Sequence, residues 1–182
     1  MSSEQEALVP PDCELVFSEE RVSRAIDDLA ATINRVYQGQ RVTVMCVLNG
    51  GLIFCGHLLT RLSCDCLIDY CHATRYRNST RGHELNWLAE PTSDLAAANV
   101  LIVDDILDEG NTLKAIVEYC LEKGAASVRT AVLLDKQHDR RIDGIEADHA
   151  ALTVDDRYVF GFGMDHAGRY RHLGAIYALP NT

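Results

Sequence analysis

The run VLIVDDILDEGNT, residues 100 to 112, passes from four apolar residues into Asp104, Asp105 and Asp108, followed by Glu109, Gly110, Asn111 and Thr112. Three carboxylates this close repel one another unless a cation or a hydroxyl-bearing ligand joins them. The apolar residues Val100 to Val103 read as a buried strand, which puts the acids beyond its carboxyl end, where open α/β sheets bind ligands. A helix beginning near Thr112 would offer free N–H groups and a dipole to an anion, with Gly110 allowing close backbone approach. Carboxylates for hydroxyls and metal beside amides for phosphate suit a sugar phosphate.

Other readings compete. One of the acids could simply cap the helix. VLIVDD also resembles the opening strand of response-regulator receiver domains, although there the acidic pair lies near the start of the domain and here about a hundred residues precede it. A P-loop is excluded because GxxxxGK[ST] is absent.

The elements that must position these groups follow from periodicity. Val22, Ile26, Leu29, Ile33 and Val36 share one helical face, and Ser18 before Glu19 and Glu20 suits its start, so residues 18 to 37 form a helix that covers a sheet. A strand at Val42 to Leu48, a turn at Asn49, Gly50 and Gly51, a helix to about Arg61 and a strand from Cys64 to Cys71 come next. Residues 74 to 90 carry Arg75, Arg77 and Arg81 without a periodic apolar face; a lid over a site and a solvated hairpin both fit. After the acidic run, Leu113, Ile116, Val117, Cys120 and Leu121 give a helix one apolar stripe, Gly124 stops it, and Val128 to Leu134 form another strand. Strand, helix, strand recurs, which implies a mainly parallel α/β sheet flanked by helices. The tail from about Ala150 holds short strand-like runs with aromatics.

Composition fits one globular domain over residues 1–182, at 47% hydrophobic and 24% charged, with residues 1–14 expected as a flexible tail. A formal charge of −10 gives no long-range attraction to nucleic acid or anionic membranes. The opening MSSEQEALVPP does not read as a signal peptide, and the most apolar window is broken by Asn49, Gly50 and Gly51, so a cytoplasmic protein is expected. Seven cysteines without a secretory leader are expected as reduced thiols. Cys64, Cys66, Cys71 and His72 have metal-ligating types but no CxxC pair, so packing is the expected role; Cys64 and Cys66 would share a strand face.

VLIVDDILDEGNTL strongly resembles the phosphoribosyl-pyrophosphate motif of type I phosphoribosyltransferases. VLNGG at 47–51, LLDK at 133–136 and RYVFGFGMD with Arg171 at 157–171 are similar to the hypoxanthine-guanine branch of that family, so the resemblance covers roughly residues 15 to 180. It implies a type I phosphoribosyltransferase-like fold with a small hood formed by the terminal segments. It also implies roles. Asp104 and Asp105 would hold the ribose hydroxyls, the backbone from Asp108 through Glu109, Gly110 and Asn111 to Thr112, with the Thr112 hydroxyl, would hold the 5-phosphate, and Asn49, Gly50, Tyr76 and Arg171 would meet the pyrophosphate. Lys136 would reach the purine 6-oxo group, Tyr158 would stack on the ring, and the Val159 backbone would read the base edge. Asp165, with Asp104 and Asp105 as further ligands, would sit at a Mg²⁺ ion bound to the pyrophosphate, and Asp108 would be the catalytic acid/base near purine N7.

Each carried residue has a plainer reading: Lys136 a solvated charge, Tyr158 core, Arg171 a surface ion pair, Asp165 a turn-closing residue. Two departures stand out. The family often has Lys where Asn49 stands, and its mobile loop commonly has Ser-Tyr where this chain has Arg75-Tyr76. The resemblance implies a purine salvage enzyme acting on hypoxanthine or guanine, working as a homodimer or homotetramer. The rivals are a phosphoribosyltransferase for another base, such as xanthine or orotate, and a regulatory protein on the same fold.

Overall fold

The computed structural model describes residues 9–75 and 85–180. Nine strands and three helices follow one another as β1 (Glu14–Phe17), α1 (Glu19–Val36), β2 (Arg41–Val47), α2 (Gly51–Leu59), β3 (Asp65–Arg75), β4 (Leu85–Ala89), β5 (Asn99–Leu107), α3 (Asn111–Glu122), β6 (Ser127–Gln137), β7 (His149–Asp155), β8 (Val159–Phe160) and β9 (Ile176–Ala178) among the described residues. Six strands form the central sheet in the order β4-β3-β2-β5-β6-β7, parallel throughout except for β4, which pairs antiparallel with β3. The α/β architecture expected from the alternating pattern is present.

Strand alternation divides the core. Leu101 and Val103 point to one face with Val44, where α1 packs Val22, Ile26 and Ile33 and α2 packs Phe54 and Leu58. Val100 and Ile102 point to the other, against Leu113, Ile116 and Cys120 of α3. Helix α1 begins at Ser18, whose hydroxyl accepts the Arg21 N–H at 3.3 Å, as a polar cap ahead of two glutamates should. On α3 the apolar stripe is narrower than its sequence suggests, because Leu121 is exposed.

The second, small sheet is the hood, with order β1-β9-β8, all antiparallel. It joins residues near both ends of the chain, pairing Glu14 with Ala178, and Arg157 donates to Glu14 at 2.7 Å. The described part of the segment expected as a flexible tail, from Val9 to Glu14, is therefore held in place. Glu14 already belongs to a strand, and Val9 and Cys13 pack against a cluster containing Phe160, Leu173 and Tyr177.

Two further boundaries differ from expectation. Strand β5 does not stop at Val103. After its last partner on β2 it stays paired with β6, through Asp104 opposite Val132 and Leu107 opposite Asp135. The described end of the segment 74–90 forms a strand: β4 pairs beside β3, and Trp87 packs on Tyr119 with ring centroids 4.7 Å apart. Its hairpin is anchored by buried Asp69, which accepts the backbone N–H groups of Tyr70, Thr92 and Ser93 at 2.7–2.8 Å. The expectations for Tyr76, Arg77 and Arg81 lie outside the described residues, as does the Arg75 side chain.

Candidate active site

A cavity of about 510 Å³ opens at the carboxyl ends of β2 and β5. Asn49, Gly50, Asp104, Asp105, the segment Asp108–Thr112, Asp165 and Arg171 all line it, so three separate stretches of sequence converge there. His72, reached from β3, lines it as well.

The floor is formed by the β2–α2 turn against the end of β5. Gly50 lies so close to the Asp105 carboxylate that a Cβ on it would overlap the acid, and a Cβ on Gly51 would meet the Val103 carbonyl at 2.7 Å. The absence of side chains here is what lets the turn reach the acids. The Leu48–Asn49 peptide beside it is cis.

Asp104 and Asp105 are adjacent on an extended strand, so they project to opposite sides, and Asp104 Oδ1 accepts the Asp105 N–H at 2.9 Å. Burial, then the neighbouring Asp105, pushes the Asp104 carboxyl well above the usual carboxylate range. Burial also raises Asp105, with hydrogen bonding from Asp104 and the Ile106 N–H, and the Arg171 charge, pulling the other way. Hydroxyl donors or a cation favour the ionised form, so this pair has capacity left for a ligand.

Gly110 caps α3 with φ +88°, a left-handed conformation that leads the chain into the helix. No acidic residue stands in the first turn of α3, and its leading N–H groups and dipole face the cavity with Thr112. Asn111 donates to Glu109 at 3.2 Å.

Asp108 follows β5 directly and meets Lys136 across the β5–β6 ladder. Lys136 Nζ donates to Asp108 Oδ2 at 2.7 Å, and Lys136 is only 8% exposed, so it is a buried partner and not a solvated charge. Burial would raise the Asp108 carboxyl, but the bonds from Lys136 and His138 prevail and hold it below its ordinary value.

On the hood side, Arg171 is neither isolated nor peripheral: it donates to the Gly163 carbonyl at 2.6 Å and to Asp165 Oδ1. Asp165 Oδ2 accepts the Gly168 N–H at 2.8 Å, so this residue closes a turn, as its plainer reading has it. Tyr158 is half exposed rather than core, and its hydroxyl donates to the Asp165 carbonyl at 3.0 Å. Val159 is buried in β8 opposite Ala178. Lys136, Tyr158 and Val159 do not themselves line the cavity; Lys136 reaches it through Asp108.

His138 and Arg141 were missed by sequence reasoning. His138 Nε2 lies 2.7 Å from Asp108 Oδ1, and Arg141 donates to the Asp135 carboxylate and to the Lys136 carbonyl at 2.7 Å, with longer contacts to the Leu107 and Asp108 carbonyls. A signal existed for His138, which stands two residues beyond Lys136 and so shares its side of an extended chain. None existed for Arg141, which binds the Asp135 carboxylate and backbone carbonyls on both β5 and β6.

The donor chemistry bears on magnesium. Among the described residues no group of three or more His, Cys, Asp or Glu side chains could hold a metal alone. The cavity does carry five carboxylates, Asp104, Asp105, Asp108, Glu109 and Asp165, against the guanidinium of Arg171. Hard oxygen donors too few to enclose an ion fit Mg²⁺, which keeps its waters and binds one or two carboxylates together with substrate phosphates. Among the described residues Cys64, Cys66, Cys71 and His72 do not gather into a group that could hold a metal; Cys64 and Cys66 share a strand face with their sulfurs 3.5 Å apart, and all seven cysteines are free of disulfides.

A parallel sheet with acids at the end of one strand, an anion-ready helix start beyond them and a hood of terminal strands defines the type I phosphoribosyltransferase fold. The family model for the phosphoribosyl transferase domain matches residues 16–167, and the chain belongs to that family. It is 31% identical over 163 residues to the hypoxanthine-guanine phosphoribosyltransferase of Streptococcus pneumoniae, covering 89% of this chain and 90% of that protein. The enzyme of that name from Bacillus subtilis is 32% identical over the same length and shares. The crystal structure of a hypoxanthine phosphoribosyltransferase from Staphylococcus aureus superposes with a TM-score of 0.89 at 29% identity, covering 98% of this chain and 96% of that one.

Proposed function

We propose that this protein is a purine salvage enzyme that transfers the phosphoribosyl group of phosphoribosyl pyrophosphate to N9 of hypoxanthine or guanine, giving the nucleoside monophosphate and pyrophosphate. The observation that carries the reading is the convergence on one cavity of the Asp104–Asp105 pair, the amide-rich start of α3, and Asp108 with Lys136 behind it. The naming of the relatives supports the substrate class.

In this reading Asp104 and Asp105 accept the ribose hydroxyls, and Glu109 to Thr112 enclose the 5-phosphate. Arg171, Asn49 and Gly50 face the pyrophosphate, with Tyr76 assigned there from the sequence alone. Asp165, aided by Asp104 and Asp105, would hold Mg²⁺, which when bound would supply positive charge to neutralise the leaving pyrophosphate. The ribosyl carbon gains oxocarbenium character as that bond breaks, and the surrounding carboxylates stabilise it. Lys136 has three donors and uses one on Asp108, so donors remain for a purine 6-oxo acceptor; adenine, with a donor at that position, is disfavoured. Tyr158 stacks on the base and the Val159 backbone reads its edge.

Exposed Leu52 on α2 and Ile68 and Tyr70 on one face of β3 support assembly as a homodimer or homotetramer. A cytoplasmic location belongs to the same reading, and no helix among the described residues is long and apolar enough to cross a membrane.

The test is nucleotide formation from phosphoribosyl pyrophosphate and magnesium with hypoxanthine, guanine, xanthine and adenine supplied separately. Turnover with hypoxanthine or guanine and none with adenine is the expected result. Preference for xanthine or orotate would reassign the base, and ligand binding without turnover on any base would favour a regulatory protein.

A further inference from the structure

Asp108 has more support than its proposed chemistry requires, and one supporting group has no assigned role. His138 lies just past the end of β6, its side chain is 2% exposed, and its Nε2 stands 2.7 Å from Asp108 Oδ1. Its other ring nitrogen, Nδ1, accepts the backbone N–H of Arg140 at 3.1 Å. A neutral imidazole has one donor and one acceptor nitrogen, so with Nδ1 accepting, the ring proton sits on Nε2 and is donated to Asp108. The tautomer is thus set by the backbone of the same loop.

The consequences for Asp108 are geometric. Lys136 holds one carboxylate oxygen and His138 the other, both at 2.7 Å, which fixes rotation of the carboxylate plane. An ionised carboxylate has about four lone-pair positions, two of which these donors occupy. Asp108 lines the cavity and neither Lys136 nor His138 does, so the two donors leave lone-pair positions of Asp108 for a group bound there. The loop carrying His138 is itself tied down. Arg140 makes a two-bond ion pair with Asp156 at 2.6 and 2.7 Å, and Arg141 bonds the carbonyls of Leu107, Asp108 and Lys136.

We infer that His138 is a positioning residue for the proposed transfer: by donating from Nε2 it holds the Asp108 carboxylate fixed and unprotonated, ready to accept the proton from purine N7. This rests on the purine-transfer reading above. In the step itself the N9 lone pair forms the bond to the ribosyl carbon, and the carbon–oxygen bond to pyrophosphate breaks with its electron pair leaving on pyrophosphate. The N7 proton passes to a free lone pair of Asp108, and then to water, since the Asp108 side chain is 43% exposed. His138 keeps its own proton throughout, so it acts as an orienting donor and not as the proton's destination.

The test uses the full-length protein and three variants, His138→Phe, His138→Gln and Asp108→Asn, with the double variant Asp108→Asn/His138→Phe. Wild-type turnover on hypoxanthine or guanine comes first, because its absence would refute the purine-transfer reading independently of His138. Given that turnover, His138→Phe should lower kcat about ten- to hundredfold, the worth of one charge-assisted hydrogen bond, with the dissociation constant for phosphoribosyl pyrophosphate within about twofold of wild type. His138→Gln, which returns an N–H donor near the Nε2 position, should recover most of the loss. The acid limb of the kcat/KM profile should move to higher pH in His138→Phe, as Asp108, left facing Lys136 with Arg141 at its carbonyl and Glu109 beside it, becomes easier to protonate. His138→Phe should cost nothing further on the Asp108→Asn background. Unchanged kcat in His138→Phe, an equal loss on both backgrounds, an unmoved acid limb, or a His138→Gln variant no better than His138→Phe would each overturn the assignment.

Discussion

Replacing Asp104 by asparagine should make the ligand-free protein more stable while weakening its hold on phosphoribosyl pyrophosphate. The Asp104→Asn side chain keeps an oxygen for the Asp105 N–H, which Asp104 Oδ1 now accepts at 2.9 Å, and removes a charge that burial and Asp105 both disfavour. The sign follows from linkage. A carboxyl whose folded-state pKa is raised holds a proton in the native protein that the unfolded chain has released, so stability falls as pH rises from the ordinary carboxyl value through the raised one. The amide abolishes that loss. The gain near neutral pH should be about 1–2 kcal/mol, the usual size for relief of an unfavourable site group, or roughly 2–8 °C in melting temperature for a chain of this length. It should shrink as pH falls and approach zero only below about 3.9, where Asp104 becomes mostly protonated in the unfolded chain as well. Ligand-induced stabilisation moves the other way. At a ligand concentration about 100 times the wild-type dissociation constant the wild type gains about 2.7 kcal/mol. Loss of one charge-assisted hydroxyl contact weakens binding roughly ten- to hundredfold and leaves about 0.4–1.4 kcal/mol. Thermal unfolding with and without magnesium phosphoribosyl pyrophosphate, at pH 7.5 and 4.5, reads both effects. A ligand-free variant that melts below wild type at pH 7.5, or one with an undiminished ligand increment, would refute the reasoning.

Three other perturbations have definite expected outcomes. Lys136→Gln should raise KM for hypoxanthine about ten- to hundredfold, with KM for phosphoribosyl pyrophosphate changing less than about threefold, because it removes a charged donor at the base and none at the sugar; steady-state kinetics with each substrate varied measures the contrast. Asn49→Lys should lower KM for phosphoribosyl pyrophosphate roughly fivefold, as one added charge near the pyrophosphate contributes about 1 kcal/mol in a wet site, and the gain should fade at high salt. Asp69→Ala should destabilise the fold by about 3 kcal/mol, roughly 6–12 °C, by stripping three backbone N–H groups of their acceptor. Burial alone would raise the Asp69 carboxyl, yet the bonds from Ser93, Tyr70 and Thr92 hold it low, so its stabilisation is full above the ordinary carboxyl value and is lost as pH falls through the lowered one; melting curves between pH 7 and pH 3 should converge for wild type and variant.

Local patterns carried far in this chain, and pairings between distant residues did not. The α1 stripe, the Ser18 cap and the strand before the acids are readable because helix and strand periods write themselves directly into neighbouring residues. The extension of β5 through Asp104 and Asp105 is not, since polar residues in a strand depend on a partner, here β6. Strand β4 was hidden for a similar reason: Leu85, Asn86, Trp87, Leu88 and Ala89 do not alternate, and their order comes from pairing with β3 and from Trp87 resting on α3. In the site, Asp104, Asp105, Asp108, Gly110 and Thr112 were legible as one contiguous run. Lys136, Tyr158, Asp165 and Arg171 carried meaning only as a set matched to a family. Arg141, which bonds backbone carbonyls from a remote strand end, leaves no trace in residue type or spacing.

The hood has a consequence for synthesis of the protein. Its middle strand, β9, is made last among the described elements, and β1, made first, has no sheet partner until β9 emerges. At about 5–20 residues per second the ribosome leaves β1 waiting roughly 10–30 s while the whole central sheet is laid down. During that interval β1 is a strand with unpaired edges, a candidate for pairing with another nascent chain on the same messenger. Glu14 and the nearby Asp12, together with the shortness of a four-residue strand, are the kinds of feature that keep such an edge solitary until its own partner arrives.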